Sequence, residues 1–193
     1  MPHIDLPSEY PGIRSLFMYS PITSKPLNDL VQTLLHNPDT STLTPGEREL
    51  IAAYTSSLNE CKYCASTHGD IAKYQLNGNA NIVQDILKKD INKAEVSDKL
   101  KALLHIAGKV QDSGKSVSSN DISKAKEQGA TDKEIHDTVL IAAAFCMFNR
   151  YVDGLATWAP DDDAVYDAIG KQRAREGYLT KPFIVNNSTT KTV

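Results

Sequence analysis

Apolar side chains recur three and four residues apart along most of this chain, and no stretch sustains a period of two between hairpin turns. Spacing of that kind gives each segment one apolar stripe and predicts an all-α protein, a bundle of amphipathic helices. The first two stretches, Ile13 to Ser20 and Pro26 to His36, are parted by Pro21 and Pro26 and closed by Asn37-Pro38. Thr44-Pro45-Gly46-Glu47 then forms a capping box with proline at the first helical position. The helix it opens turns Leu50, Ile51, Tyr54 and Leu58 toward a core. Its other face shows Glu49, Ala52, Ala53 and Ser56, small residues that admit a close neighbour or a water.

The next helix is expected from near Cys61 to Leu76, where Asn77-Gly78 supplies a left-handed stop. Asn79 caps a helix carrying Ile82, Val83, Ile86 and Leu87, and Ser97 opens one carrying Leu100, Leu103, Leu104, Ala107 and Val110. Ser118 and Asp121 frame a short helix ended by Gly129. A second capping box, Thr131 with Glu134, precedes the most apolar helix, Ile135 to about Trp158. Its run Val139 to Phe148 is apolar nearly all round and is expected to be buried on several sides. The two capping-box helices look like corresponding parts of two helical halves. Residues 1–177 form one domain in this reading. Residues 178–193 form a tail with an apolar patch (Phe183, Ile184, Val185), expected to pack partly on a neighbouring subunit, and a mobile polar end of eight residues.

Composition narrows the classes. The 193 residues suit one domain with a sizeable core. A net charge of −3, with acids and bases interspersed, leaves no basic face for nucleic acid. The longest apolar run is far short of the roughly 20 residues that span a bilayer. The opening MPHIDLPSEYPGIRS has neither a basic n-region nor an apolar h-region, so no signal peptide is expected. With three cysteines and no secretory signal, the chain reads as cytoplasmic, where a Cys-x-x-Cys pair is more often catalytic than structural.

The chemistry concentrates in Cys61-Lys62-Tyr63-Cys64 and His68. On a helix Cys64 and His68 share a face, and Cys61 lies one turn back. A thiolate, an imidazole able to take its proton and a second thiol placed to attack the oxidised first make a dithiol redox centre. Other readings are a structural bridge, a zinc site or inert thiols. A bridge over so short a loop restricts little chain entropy, and zinc wants four ligands where Cys61, Cys64 and His68 supply three. Glu49 lies one helix upstream, on the face of small residues, where an acid can orient His68. Tyr63 reads equally as a core aromatic or as a hydroxyl donating to a reacting oxygen. Cys146, between Phe145 and Met147, reads as core. Arg150 and Asp153 read as a pair across one helical turn beside Asn149. Spacing to His68 favours Cys64 as the attacking thiol, while the helix N-terminus favours Cys61; Cys64 is the choice made here.

Glu49, eleven intervening residues, Cys61-x-x-Cys64, three residues and His68 together resemble the alkyl hydroperoxidase D family, within the carboxymuconolactone decarboxylase-like group. The strings LTPGERELIAAY, LNECKYCASTHGDIA and NRYVDGL look most like its peroxidase-related branch, and the resemblance runs from about Pro11 to Gly170. It implies an all-helical fold, a trimer-based homo-oligomer and thiol-dependent reduction of hydroperoxides. By position, Cys61 and Cys64 become the redox pair, and His68 and Glu49 the proton relay. No bound cofactor is implied; a thioredoxin-like or lipoyl-type dithiol is the implied reductant. Tyr63 departs from the pattern, since the best-studied members carry a histidine between the cysteines. A non-enzymatic dithiol sensor is the alternative, and a lactone decarboxylase, whose relatives generally lack the cysteine pair, a more distant one.

Overall fold

The structure, a computed structural model, describes residues 1–179, and among them nine α-helices and no strand occur. They are α1 (Ile13–Tyr19), α2 (Pro21–Val31), α3 (Pro45–Leu58), α4 (Lys62–Gln75), α5 (Ala80–Leu87), α6 (Asp98–Asp112), α7 (Ser119–Glu127), α8 (Asp132–Gly154) and α9 (Asp163–Glu176). The chain is all-α, as its periodicity predicts. Capping residues set the boundaries as expected. The Thr44 hydroxyl accepts from the Glu47 amide at 3.3 Å while Glu47 Oε2 accepts from the Thr44 amide at 2.8 Å. Thr131 and Glu134 repeat the box at 3.2 and 2.8 Å. Asn77 and Gly78 take positive φ values of 57° and 84° after α4.

Three boundaries differ from expectation. Helix α2 begins at Pro21 and carries Pro26 inside it. Proline suits the first helical position, and the exposed flank at Ile22 leaves the carbonyl that Pro26 cannot serve open to water. A single π-turn, Gln32–His36, ends this arm. Buried Arg48 pins it, with Nη1 donating to the Leu34 and Asn37 carbonyls at 3.0 Å each. Helix α8 stops at Gly154 rather than near Trp158, with Ala156 at φ 49° turning the chain. Helix α9, which carries no clear apolar period, was not foreseen. It is held by tertiary packing against α4, where a Cβ on Gly170 would come within 2.7 Å of the Asp70 backbone.

Helix α3 lies at the centre, against α4, α6 and α8. The main core gathers Leu50 and Ile51 with Ile71, Leu103, Leu104 and Ile141, all fully buried; each such side chain contributes about 1.5–3 kcal/mol through burial. A smaller cluster beside it packs Leu6, Leu16, Tyr63, Val152 and Tyr166 around Cys61 and Cys64. Helix α8 is less enclosed than its composition suggests. Leu140, Ala143 and Met147 form an exposed stripe, with Leu140 at 40% and Met147 at 46% exposure. Phe183, Ile184 and Val185 lie outside the described residues. No helix among the described residues is long and apolar enough to cross a membrane.

Candidate active site

The turn between α3 and α4 brings the thiols to a helix start. Cys61 occupies the N-cap of α4, its backbone N–H donating to the Ser56 carbonyl at 3.1 Å, and Cys64 lies in the first turn. Both are free thiols and both are buried. The Cys64 thiol is pushed well above its ordinary pKa, first by its hydrogen bond with Cys61 and then by burial. An Asn149 hydrogen bond opposes that rise. Cys64 therefore rests as the protonated thiol.

His68 stands one turn further along α4, fixed from three sides. Its Nδ1 lies 2.7 Å from Oε2 of Glu49, which α3 holds at 0% exposure. Its ring meets Phe145 edge-on, centroids 4.6 Å apart. The third side is Tyr178, whose hydroxyl donates to Oε1 of Glu49 and lies 3.2 Å from His68 Nδ1. With a carboxylate at Glu49 receiving the Nδ1 proton's hydrogen bond, a neutral imidazole keeps its lone pair on Nε2. Burial, then the Glu49 charge, raises the Tyr178 phenol well above the usual tyrosine value, so it serves as a donor.

Tyr178 was assigned nothing from sequence, and no local pattern marks it. Gly177 delivers it: φ is +69°, and a Cβ there would fall 2.5 Å from Gln32 Oε1. That same oxygen accepts the Tyr178 amide at 2.7 Å. The stop signal after α9 is thus the only trace it leaves in the sequence.

A cavity of about 40 Å³, measured for the centre of a water-sized sphere, joins these groups. Cys64, Thr67, His68 and Tyr178 line it together with Arg14 and Arg173. By that measure it has room for a few waters. Thr67 Oγ1 is buried there next to Tyr63. No hydrogen bond links His68 directly to either thiol among the described residues, and Cys64 and His68 are brought together only as walls of the same cavity.

Tyr63 is a core aromatic that also borders the site. Its ring is buried beside Tyr166, centroids 6.3 Å apart, and under Gly12, where a Cβ would fall 2.1 Å from Tyr63 Cδ1. It also lines the cavity. Asn149 was read only as part of a polar patch, yet it is buried at 1% exposure. It donates to Ser56 Oγ at 3.0 Å and accepts from Asn59 at 2.8 Å, which anchors α8 to the turn that holds the thiols. Arg150 and Asp153 make no ion pair among the described residues; Arg150 instead donates to the Cys146 carbonyl at 2.9 Å. Cys146 is half-buried, with Asn59 Nδ2 3.7 Å from its sulfur. Among the described residues no group of three or more His, Cys, Asp or Glu side chains is arranged to hold a metal ion.

No family model and no curated protein matches the chain. Several solved structures are similar to it, among them two peroxidase-related proteins. One is an alkylhydroperoxidase AhpD core, an uncharacterized peroxidase-related protein from Ralstonia eutropha JMP134. It is 25% identical with a TM-score of 0.73, over 83% of this chain and 81% of that one. The other is an uncharacterized peroxidase-related protein from Silicibacter sp. TM1040, 23% identical with a TM-score of 0.71, over 81% and 78% of the two chains. The resemblance carried by Glu49, Cys61, Cys64 and His68 agrees with this likeness, and the chain has the alkyl hydroperoxidase D-like fold of these peroxidase-related proteins.

Proposed function

We propose that this chain is a thiol-dependent peroxidase that reduces alkyl hydroperoxides through Cys64 and Cys61. One observation carries the reading: Cys64 and His68 line the same cavity, while Glu49 and Tyr178 hold His68 from behind. His68 Nε2 takes the Cys64 proton through cavity water. The thiolate attacks the distal peroxide oxygen, so an S–O bond forms, the O–O bond breaks and the alcohol leaves with the proton returned by His68. Cys64 is oxidised by two electrons to a sulfenic acid. Cys61 then attacks that sulfur, an S–S bond forms and water departs. An external dithiol, thioredoxin-like or lipoyl-type, reduces the disulfide by exchange.

Cys64 rather than Cys61 is the attacking thiol in this scheme because, of the two, Cys64 lines the cavity. The high pKa of its thiol makes the relay necessary rather than decorative. Tyr63 supplies an apolar wall, with its phenol available as an auxiliary donor. The working form is a trimer-based homo-oligomer in the cytoplasm. The exposed Leu140–Met147 stripe of α8 supports assembly, since such a stripe is covered by a second copy at low cost.

The deciding assay follows consumption of cumene hydroperoxide in the presence of a dithiol, for wild type and Cys64→Ser. Turnover lost in the variant is the expected result. Disulfide formation without turnover would instead mark a dithiol redox switch, and turnover that survives in Cys64→Ser would refute the assignment.

A further inference from the structure

Charge in the cavity is lopsided. Two guanidiniums, Arg14 and Arg173, line it, and no Asp or Glu does. Glu49 stands behind His68 with both oxygens occupied by His68 and Tyr178. Arg173 is buried at 2% exposure, and burial followed by the Arg14 charge lowers its pKa to about 10. Arg14 donates to Asn28 Oδ1 at 3.3 Å and lies over the Phe17 ring, 5.8 Å from its centroid. Among the described residues no carboxylate lies within ion-pair distance of Arg14. A guanidinium at the border of a small cavity, with no carboxylate to neutralise it, attracts an anion.

Position defines where that anion would sit. Arg14, Phe17, Asn28 and Tyr178 line the inner cavity and also an outer groove of about 480 Å³. The other walls of the groove include Leu179 and Lys25 paired with Asp29, so the one carboxylate of the groove already has its cation. Cys64 and His68 line only the inner cavity. Between the two ends the walls are apolar, built by Phe17, Val31, Phe145 and Ile169. A molecule reaching Cys64 from outside therefore meets Arg14 at the junction, then hydrocarbon, then the thiol.

We infer that the preferred substrate is a short alkyl hydroperoxide bearing a carboxylate, which Arg14 holds at the cavity mouth while the hydroperoxide points at Cys64. This rests on the peroxidase reading and adds the substrate class to it. A guanidinium offers two parallel N–H donors that match a carboxylate, and an apolar chain of a few carbons fills the space between.

The experiment uses pre-reduced full-length protein in single turnover without reductant, reading loss of two thiols on mixing with one equivalent of peroxide. The pair compared is 4-hydroperoxy-4-methylpentanoate and its methyl ester. Omitting the reductant ensures that any preference belongs to the peroxide and not to an anionic dithiol. The acid should react about ten- to a hundredfold faster at subsaturating concentration, the range of one hydrogen bond to a charged group. Arg14→Gln should bring the acid-to-ester ratio close to one, and Arg14→Lys should retain part of it. Equal rates for acid and ester in wild type would overturn the inference while leaving the peroxidase reading intact. Failure of both compounds to oxidise the thiols would overturn the peroxidase reading itself. A ratio unchanged in Arg14→Gln would show that the preference arises elsewhere and would also overturn the assignment of Arg14.

Discussion

The Tyr178 hydroxyl donates to one oxygen of Glu49, 129 positions away in the sequence, while the other oxygen, Oε2, lies 2.7 Å from His68 Nδ1. The two contacts fix the orientation of His68, the base of the proposed relay. Tyr178 acts through Glu49 and His68 and so is a positioning residue. Tyr178→Phe should slow peroxide reduction about tenfold, the scale of one hydrogen bond to a charged group. His68→Ala should cost about 10²–10⁴-fold, the usual contribution of general acid–base assistance. Both losses should shrink at high pH, where hydroxide replaces the base. A Tyr178→Phe pH–rate profile that parallels wild type would leave Tyr178 with a packing role alone.

The thiol pair should close into a disulfide. Cys61 at the N-cap and Cys64 in the first turn of α4 are both free, buried thiols of one small cluster. One equivalent of hydroperoxide should remove two titratable thiols, and mass spectrometry of the alkylated, non-reduced protein should place the bridge between Cys61 and Cys64. A bridge that includes Cys146 would contradict the scheme.

Alkaline pH should weaken the fold. The folded chain keeps Cys64 and Tyr178 protonated well above their ordinary pKa values of 9.0 and 10.0. The unfolded chain gives up those protons as the pH passes these values, so it then binds fewer protons than the folded chain and stability falls as pH rises. Each group contributes a slope of about 1.4 kcal/mol per pH unit in that window. Urea midpoints measured from pH 8 to 11 should fall less steeply for Tyr178→Phe and for Cys64→Ser. Identical slopes in wild type and both variants would show that neither group is held protonated.

Gly170 sets how closely α9 approaches α4. A Cβ there would press into the Asp70 backbone at 2.7 Å, a contact no side-chain rotation relieves. Gly170→Ala should cost about 1–3 kcal/mol, the range for overpacking a close contact. Chemical denaturation reads it directly.

Assembly is testable on the exposed stripe of α8. Light scattering should return a mass several times the 21.2 kDa chain. Leu140→Lys combined with Met147→Lys should reduce it, because charges replace the apolar stripe without entering the core. A monomeric wild type at micromolar concentration would refute the oligomer.

Most of the helices, their caps and the Cys61–Cys64–His68 group were legible in the sequence because each depends on residues within a turn or two of one another. Glu47 needs only Thr44, and Cys64 and His68 share a face by helix geometry alone. Glu49 became legible through its fixed spacing to the thiols, although its full burial did not. Other features exist only once distant segments meet. Tyr178 reaches Glu49 through a glycine turn after α9, Asn149 turns inward because α8 docks against the end of α3, and Arg14 comes to the cavity mouth on α1. Helix α9 itself has a weak apolar period and is set by its contact with α4 at Gly170. Local periodicity dictates which residues form a helix, but which side chains face one another is decided by packing between helices, and packing also sets the height of the Cys64 pKa through burial and the neighbouring thiol.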